Sequence, residues 1–144
     1  MNVLDVGCGS GILSIIAMML GAKEASATDV DELAVKAAIE NAEVNKIDMT
    51  KYHVTTGDVI TNAELRKATG DHCFDLVLAN IFADIIIPLS AVVKEMMTPG
   101  AIFITSGIID ERGDDVVAAL TENGFEILEE THSGGWVSFT AKAI

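Results

Sequence analysis

The stretch that most constrains this chain is Val3-Leu4-Asp5-Val6-Gly7-Cys8-Gly9-Ser10-Gly11. Val3, Leu4 and Val6 read as a short buried strand. The strand breaks into three glycines at alternate positions and runs at once into an apolar, helix-forming segment, Ile12 to Leu20. Strand, tight glycine turn and helix make the first half of a βαβ nucleotide-binding unit. Glycine serves two ends in such a turn. It adopts positive φ without steric cost, and its missing side chain lets a ligand approach the backbone N–H groups at the helix start.

Two details bear on which ligand. The spacing is Gly7-x-Gly9-x-Gly11, and Ile12 stands where a dinucleotide fold would carry its third glycine. Asp5 lies two residues before the first glycine. Its carboxylate repels a pyrophosphate and attracts a ligand with an ammonium group and a sulfonium centre. S-adenosylmethionine has both, whereas NAD fits poorly.

The 144 residues make one domain the expectation, and 50% hydrophobic content supports a sizeable core. With 22 acidic and 9 basic residues the formal net charge is −13. That balance counts against direct nucleic-acid binding, which needs clustered Lys and Arg, and it suits a basic protein partner. Cys8 and Cys73 fall in no metal or redox spacing, and two unpaired cysteines suit a reducing cytosol. Cys8 reads as a packing residue. The apolar runs stop short of the ~20 residues of a membrane span, and the N-terminus lacks a signal-peptide pattern. A cytoplasmic chain away from membranes is expected; its oligomeric state is not legible.

Strands and helices alternate along the chain. Ile12 to Leu20 is apolar on most faces and is expected to be largely buried, with Gly21 as its stop. Ala25 to Val30 is a second strand. Asp31 caps a helix over Glu32 to Asn45, whose apolar face is Val35, Ala38, Ile39 and Ala42. A third strand carries Tyr52, Val54 and Thr56 and closes at Gly57-Asp58. A short helix over Thr61 to Ala68 follows, capped by Thr61 or Asn62. The fourth strand is Phe74 to Leu78, ending at Ala79-Asn80-Ile81. Pro88 inside the next apolar stretch predicts a turn near 82–86 and a helix over 87–97, because proline harms a helix interior. A fifth strand over Ala101 to Thr105, a helix over Asp110 to Asn123, and strands over Phe125 to Glu130 and Trp136 to Lys142 complete the chain. The last two pair antiparallel across Ser133-Gly134-Gly135.

With these residues in place, the chain resembles the class I S-adenosylmethionine-dependent methyltransferases, and within them the catalytic domain of the ribosomal protein L-eleven methyltransferases, the PrmA family. The resemblance covers nearly the whole chain. It rests on the opening motif through Ile12-Leu13, on Ala34 to Asn45 (AVKAAIENAEVN), and on Leu78-Ala79-Asn80-Ile81-Phe82-Ala83-Asp84. Thr105-Ser106-Gly107-Ile108 and Gly135-Trp136-Val137 complete it. It implies an α/β, Rossmann-like, mostly parallel seven-stranded sheet of order 3-2-1-4-5-7-6, last strand antiparallel, with helices on both faces. It further implies S-adenosylmethionine as cofactor and methyl transfer to amines of a ribosomal protein, lysine side chains and an N-terminal amine. Family members also carry an N-terminal substrate-recognition domain and a segment before the first strand that helps enclose the cofactor. Residues 1–144 correspond to the catalytic domain without them, so cofactor binding with little transfer is expected.

Asp5, Gly7, Gly9 and Gly11 are therefore cofactor-site candidates, and three further positions join them. Asp29 ends the second strand, where a carboxylate can accept both hydroxyls of a ribose; Asp31 is the better helix cap. Asp58, by resemblance, accepts from the adenine amine, with Val59 packing by the ring; a plain Gly-Asp turn is the alternative. Asn80 is the catalytic candidate: its amide oxygen can accept from a substrate amine and align the nitrogen lone pair on the methyl, and positioning is most of what methyl transfer requires. The residues after it, Ile81-Phe82, match the ribosomal-protein family rather than the Pro-Pro-aromatic run of other amine methyltransferases. Trp136 and Phe82 either line a substrate site or pack in the core. His53, His72 and His132 are scattered, and no metal or covalent intermediate is called for. The alternatives are a small-molecule or RNA methyltransferase of the same fold, and a non-catalytic module that binds cofactor or a subunit.

Overall fold

A computed structural model describes all of residues 1–144. The chain runs β1 (Asn2–Val6), α1 (Ile12–Met19), β2 (Glu24–Asp29), α2 (Glu32–Val44), β3 (Tyr52–Thr56), α3 (Ala63–Thr69), β4 (Phe74–Asn80) and α4 (Ala83–Ser90). A 3-10 turn (Val93–Met96) leads to β5 (Met97–Ile109), and a second (Asp110–Arg112) to α5 (Gly113–Glu122), β6 (Phe125–Ser133) and β7 (Trp136–Ala143). The sheet order is β3-β2-β1-β4-β5-β7-β6. β1 to β5 pair in parallel, and β7 enters antiparallel between β5 and β6, as the resemblance implies.

β1 lies inside the sheet, between β2 and β4, and carries apolar residues on both faces. Leu4 and Val6 join the larger core with Val77, Ile86, Leu89, Phe103 and Phe139. Val3 joins the smaller one with Ala25, Ala27, Ala38 and Tyr52. Residues alternate sides along a strand, so one five-residue run serves two cores. Its register then fixes the site: Asp5 lies beside Ala27 and Leu78, and Val6 beside Thr28.

The caps follow the sequence reading. The Asp31 carboxylate accepts from Leu33 N–H at 2.9 Å, and of the two candidates for α3 it is Asn62 that caps, accepting from Leu65 N–H at 3.0 Å. Gly21 (φ +104°) turns the chain out of α1.

Two local expectations are corrected. No helix spans 87–97. α4 begins directly after Phe82 and contains Pro88. The ring is tolerated because Pro88 sits on the exposed side of α4, while Ile86 and Leu89 point inward and are fully buried. The missing N–H deprives only the carbonyl of Asp84, an exposed residue that water can serve. The helix ends two residues later, at Ser90, and β5 starts at Met97, earlier than expected; the Phe74–Leu76 register shift absorbs Pro99 and Gly100. Nor is α1 largely buried: only Ser14 and Ile15 are, while Ile12, Ile16, Met19 and Leu20 are exposed. α1 packs chiefly on β1, β2 and α2, leaving an apolar cleft lined by Leu13, Ile16, Leu20, Leu76 and Leu78.

Candidate active site

The C-terminal ends of the parallel strands meet on one edge of the sheet, and β1 is where the winding reverses. The chain goes outward to β2 and β3 on one side and to β4 and β5 on the other. Open α/β sheets bind ligands at this point. The edge holds a cavity of about 240 Å³ lined by Val6, Gly7, Thr28, Asp29, Gly57, Asp58, Val59, Ile60, Ile81 and Ile85, with Val30 at its rim.

Asp29 organises the polar side. One carboxylate oxygen accepts from Gly9 N–H and the other from Asp31 N–H, both at 2.9 Å. A carboxylate has about four lone-pair sites, so acceptor capacity remains for a ligand in the cavity that Asp29 lines. The Gly9 contact also removes a backbone donor that a pyrophosphate would use, and puts a negative charge there instead. Asp58 lines the same cavity, with one oxygen taken by Ile60 N–H at 2.9 Å. The Val59–Ile60 floor is pinned from α3: Arg66 donates to the Val59 carbonyl at 2.8 Å and the Ile60 carbonyl at 2.9 Å.

The three glycines do different work. All have positive φ. A methyl added at Gly7 would lie 2.5 Å from Ile81 Cγ2, so this glycine lets β4's extension close over the loop. At Gly11 a methyl would lie 2.9 Å from both Ala38 Cβ and the Tyr52 hydroxyl, which makes Gly11 a packing glycine under α2. Nothing lies within 4 Å of a methyl built at Gly9. Gly9 alone faces open space.

Asp5 is not on the cavity wall. It is 1% exposed beneath the loop and accepts from Ser14 N–H at 3.3 Å. Ser14 in turn shares a 2.8 Å hydrogen bond with Tyr52. Burial pushes the Asp5 carboxyl up to about 6, against the pull of the Ser14 hydrogen bonds and with a further push from Asp29. Burial, then Asp5 and Asp29, raise the Cys8 thiol to about 12, which fits a packing residue and no nucleophile.

The Asp5 shift has a stability consequence. A carboxyl raised in the folded state binds its proton more tightly there than when unfolded, so ionising it costs stability as pH rises from about 4 through 6. Asp5→Asn is therefore expected to raise stability by about 1–2 kcal/mol at pH 8 and by nothing measurable below pH 4, part of the ~3 kcal/mol shift being lost with the charged hydrogen bonds. Urea unfolding at both pH values measures this; an unchanged midpoint at pH 8 would contradict it.

Asn80 stands at the end of β4, exposed, beside Ser106 of β5. Its amide oxygen lies over Gly107, 2.6 Å from where a methyl there would sit. The next residue, Ile81, lines the cavity just described. Phe82 lines a different groove of about 280 Å³, together with Ala83, Asp84, Gly107, Ile109, Arg112 and Trp136. Asn80 thus marks the junction of two concavities. Phe82 and Trp136, which sequence left between site and core, are 76% and 50% exposed and line that groove.

Gly7, Asp29 and Asp58 thus line one cavity; Gly9, held by Asp29, and Asn80, the chain neighbour of Ile81, are outside its lining, and Asp5 and Gly11 are packed beneath the loop. Sequence reading passed over Ile81 and Ile85, although their spacing of four across the start of α4 is a legible signal. Arg66 carries no such signal because its partners are backbone carbonyls, and the Ser14–Tyr52 pair carries none because its members are far apart in sequence.

The model of one family, ribosomal protein L11 methyltransferase (PrmA), matches residues 1–143. The chain belongs to this family. Among PrmA relatives, the ribosomal protein L11 methyltransferase of Lachnospira eligens is 49% identical over 142 residues, which are 98% of this chain and 45% of that protein. That of Agathobacter rectalis is 44% identical over 143 residues, 99% of this chain and 44% of that protein. This PrmA chain therefore spans less than half the length of these relatives. The crystal structure of a ribosomal protein L11 methylase from Lactobacillus delbrueckii subsp. bulgaricus superposes with a TM-score of 0.88 at 33% identity, covering 99% of this chain and 70% of that one. A SAM-dependent methyltransferase from Aquifex aeolicus shares the fold, with a TM-score of 0.80 at 20% identity over 100% of this chain and 82% of that one. No helix is long and apolar enough to cross a membrane.

Proposed function

We propose that this chain is the catalytic domain of a cytoplasmic S-adenosylmethionine-dependent protein N-methyltransferase that methylates amines of a ribosomal protein, on lysine side chains and the N-terminus. The observation that carries the reading is the pair Asp29 and Asp58 on the wall of one cavity, with Asp29 holding the N–H of an open Gly9. The residues present suit the cofactor: two carboxylates for hydroxyls and an amine, an apolar wall of Val59, Ile60, Ile81 and Ile85 for a ring, and a loop without side chains for close approach.

When bound, S-adenosylmethionine supplies an electrophilic methyl group. The chain's own residues bind and orient. Asp29 accepts from the ribose hydroxyls and Asp58 from the adenine amine. Gly7, Gly9 and Gly11 keep the loop low, and Asp5 acts through its field, from beneath, on a cationic ligand. Asn80 accepts a hydrogen bond from the substrate amine and turns its lone pair toward the methyl. That amine must first be neutral, since an ammonium has no lone pair; water takes the proton. Alignment supplies most of the acceleration.

The acidity of the chain favours a protein substrate over RNA. The test is radiolabelled methyl transfer by the full-length protein to purified ribosomal protein and, separately, to ribosomal RNA. Label in the protein is expected, and Asn80→Ala is expected to slow transfer about 10²-fold through lost alignment. Label in RNA, or unchanged transfer by the variant, would contradict the reading.

A further inference from the structure

Arg66 lies outside the lining of the cofactor cavity. We infer that it is a positioning residue for base recognition: through the peptide group between Val59 and Ile60 it sets the carboxylate of Asp58, and so governs how strictly the site reads a purine edge. The inference rests on the methyltransferase reading, in which Asp58 accepts from the adenine amine, and deepens it by naming what holds Asp58 in place.

Three observations carry it. First, a single peptide group connects the two side chains. Arg66 Nη1 donates to the Val59 carbonyl at 2.8 Å, and the Ile60 N–H donates to Asp58 Oδ1 at 2.9 Å. That carbonyl and that N–H are opposite ends of one planar unit, so turning the plane moves both bonds together. A cation on the carbonyl also strengthens the N–H as a donor. The same Nη1 holds the Ile60 carbonyl at 2.9 Å, which fixes the next peptide group as well. Second, one Asp58 oxygen is occupied in this way and the other is left for a ligand. On the next residue, the Val59 N–H has no acceptor in the chain. An acceptor and a donor on adjacent residues of the cavity lining suit the amine and the neighbouring ring nitrogen of adenine. Hypoxanthine carries a carbonyl and an N–H at those two places, so a rigid turn rejects it. Third, Arg66 is built into the fold. Its side chain is 11% exposed, and Glu95, in the 3-10 turn that leads to β5, balances its charge at 3.2 Å. The helix that carries it, α3, has no fully buried residue. α3 comes close to the turn because Gly57 has no side chain: a methyl there would lie 2.5 Å from Leu65 Cδ2.

The experiment compares, by calorimetry on this chain, the affinities for S-adenosylhomocysteine and S-inosylhomocysteine, which differ only at the purine edge. The wild type is expected to bind the adenosine compound at least about tenfold tighter. Arg66→Ala is expected to weaken S-adenosylhomocysteine about three- to tenfold and the inosine compound less, because the latter never made the aligned bonds. The ratio of the two affinities then falls at least about threefold. A merely structural role does not move this ratio: lost stability lowers the folded fraction and scales both affinities alike. Arg66→Lys keeps the charge beside Glu95 and loses the planar donor group, so its ratio is expected to fall about twofold. This variant carries the test where the alanine variant does not fold. An unchanged ratio in the folded variants overturns the inference, and so does a wild-type chain that binds both compounds equally. Both results leave the methyltransferase reading standing, since the cofactor analogue still binds. A wild-type chain that does not bind S-adenosylhomocysteine contradicts that reading, and the inference falls with it.

Discussion

Gly11→Ala is expected to destabilise the fold by about 2–4 kcal/mol, from roughly 1 kcal/mol for holding alanine at positive φ and about 1–3 kcal/mol for overpacking. The clash is with well-buried neighbours: Ala38 Cβ and the Tyr52 hydroxyl each lie 2.9 Å from the added methyl. Tyr52 cannot retreat without losing its 2.8 Å hydrogen bond to Ser14, whose N–H in turn serves Asp5. The strain therefore passes into the residues beneath the loop. Gly9→Ala is the control, with the same kind of backbone strain and no neighbour, so about 1 kcal/mol is expected. Denaturant unfolding of both variants gives the comparison. Equal losses would mean that Gly11 is not a packing glycine.

Asp29→Ala is expected to weaken S-adenosylhomocysteine binding by roughly 1.5–3 kcal/mol, the range for a charge-assisted hydrogen-bonding group. Two effects add. The ligand loses an acceptor, and the Gly9 and Asp31 N–H groups lose theirs, so the loop is no longer tied to β2. Isothermal calorimetry measures the change, with circular dichroism confirming a folded variant. An unchanged dissociation constant in a folded variant would remove Asp29 from the site.

The parts of this molecule legible in its sequence are those set by local chemistry. The strand–glycine–helix unit at residues 3–20, the Asp31 cap and the place of Asp29 at the end of β2 each follow from a few adjacent residues. The sheet order did not come from spacing. It came with the family resemblance, and the pairings bear it out. What escaped depends on distant neighbours. Pro88 predicts a broken helix only if its N–H is needed and its ring is crowded; on the exposed side of α4 neither holds. The apolar periphery of α1 predicts burial only if the helix has neighbours on every side, whereas it packs chiefly on β1, β2 and α2 and leaves one side open. Asp5 precedes the glycines, but the alternation of β1 turns it under the loop toward Ser14, on the side of Val3, so it acts on a ligand through its field rather than by contact.

That placement sharpens the choice of ligand. A carboxylate beneath the loop and a second one holding Gly9 N–H make this turn a negative surface, where a pyrophosphate-binding turn presents free donors. The most direct measurement is paired calorimetry of the intact chain with S-adenosylhomocysteine and with NAD. The account predicts binding of S-adenosylhomocysteine tighter than NAD by at least about tenfold, or 1.4 kcal/mol. NAD binding as tight or tighter would contradict it.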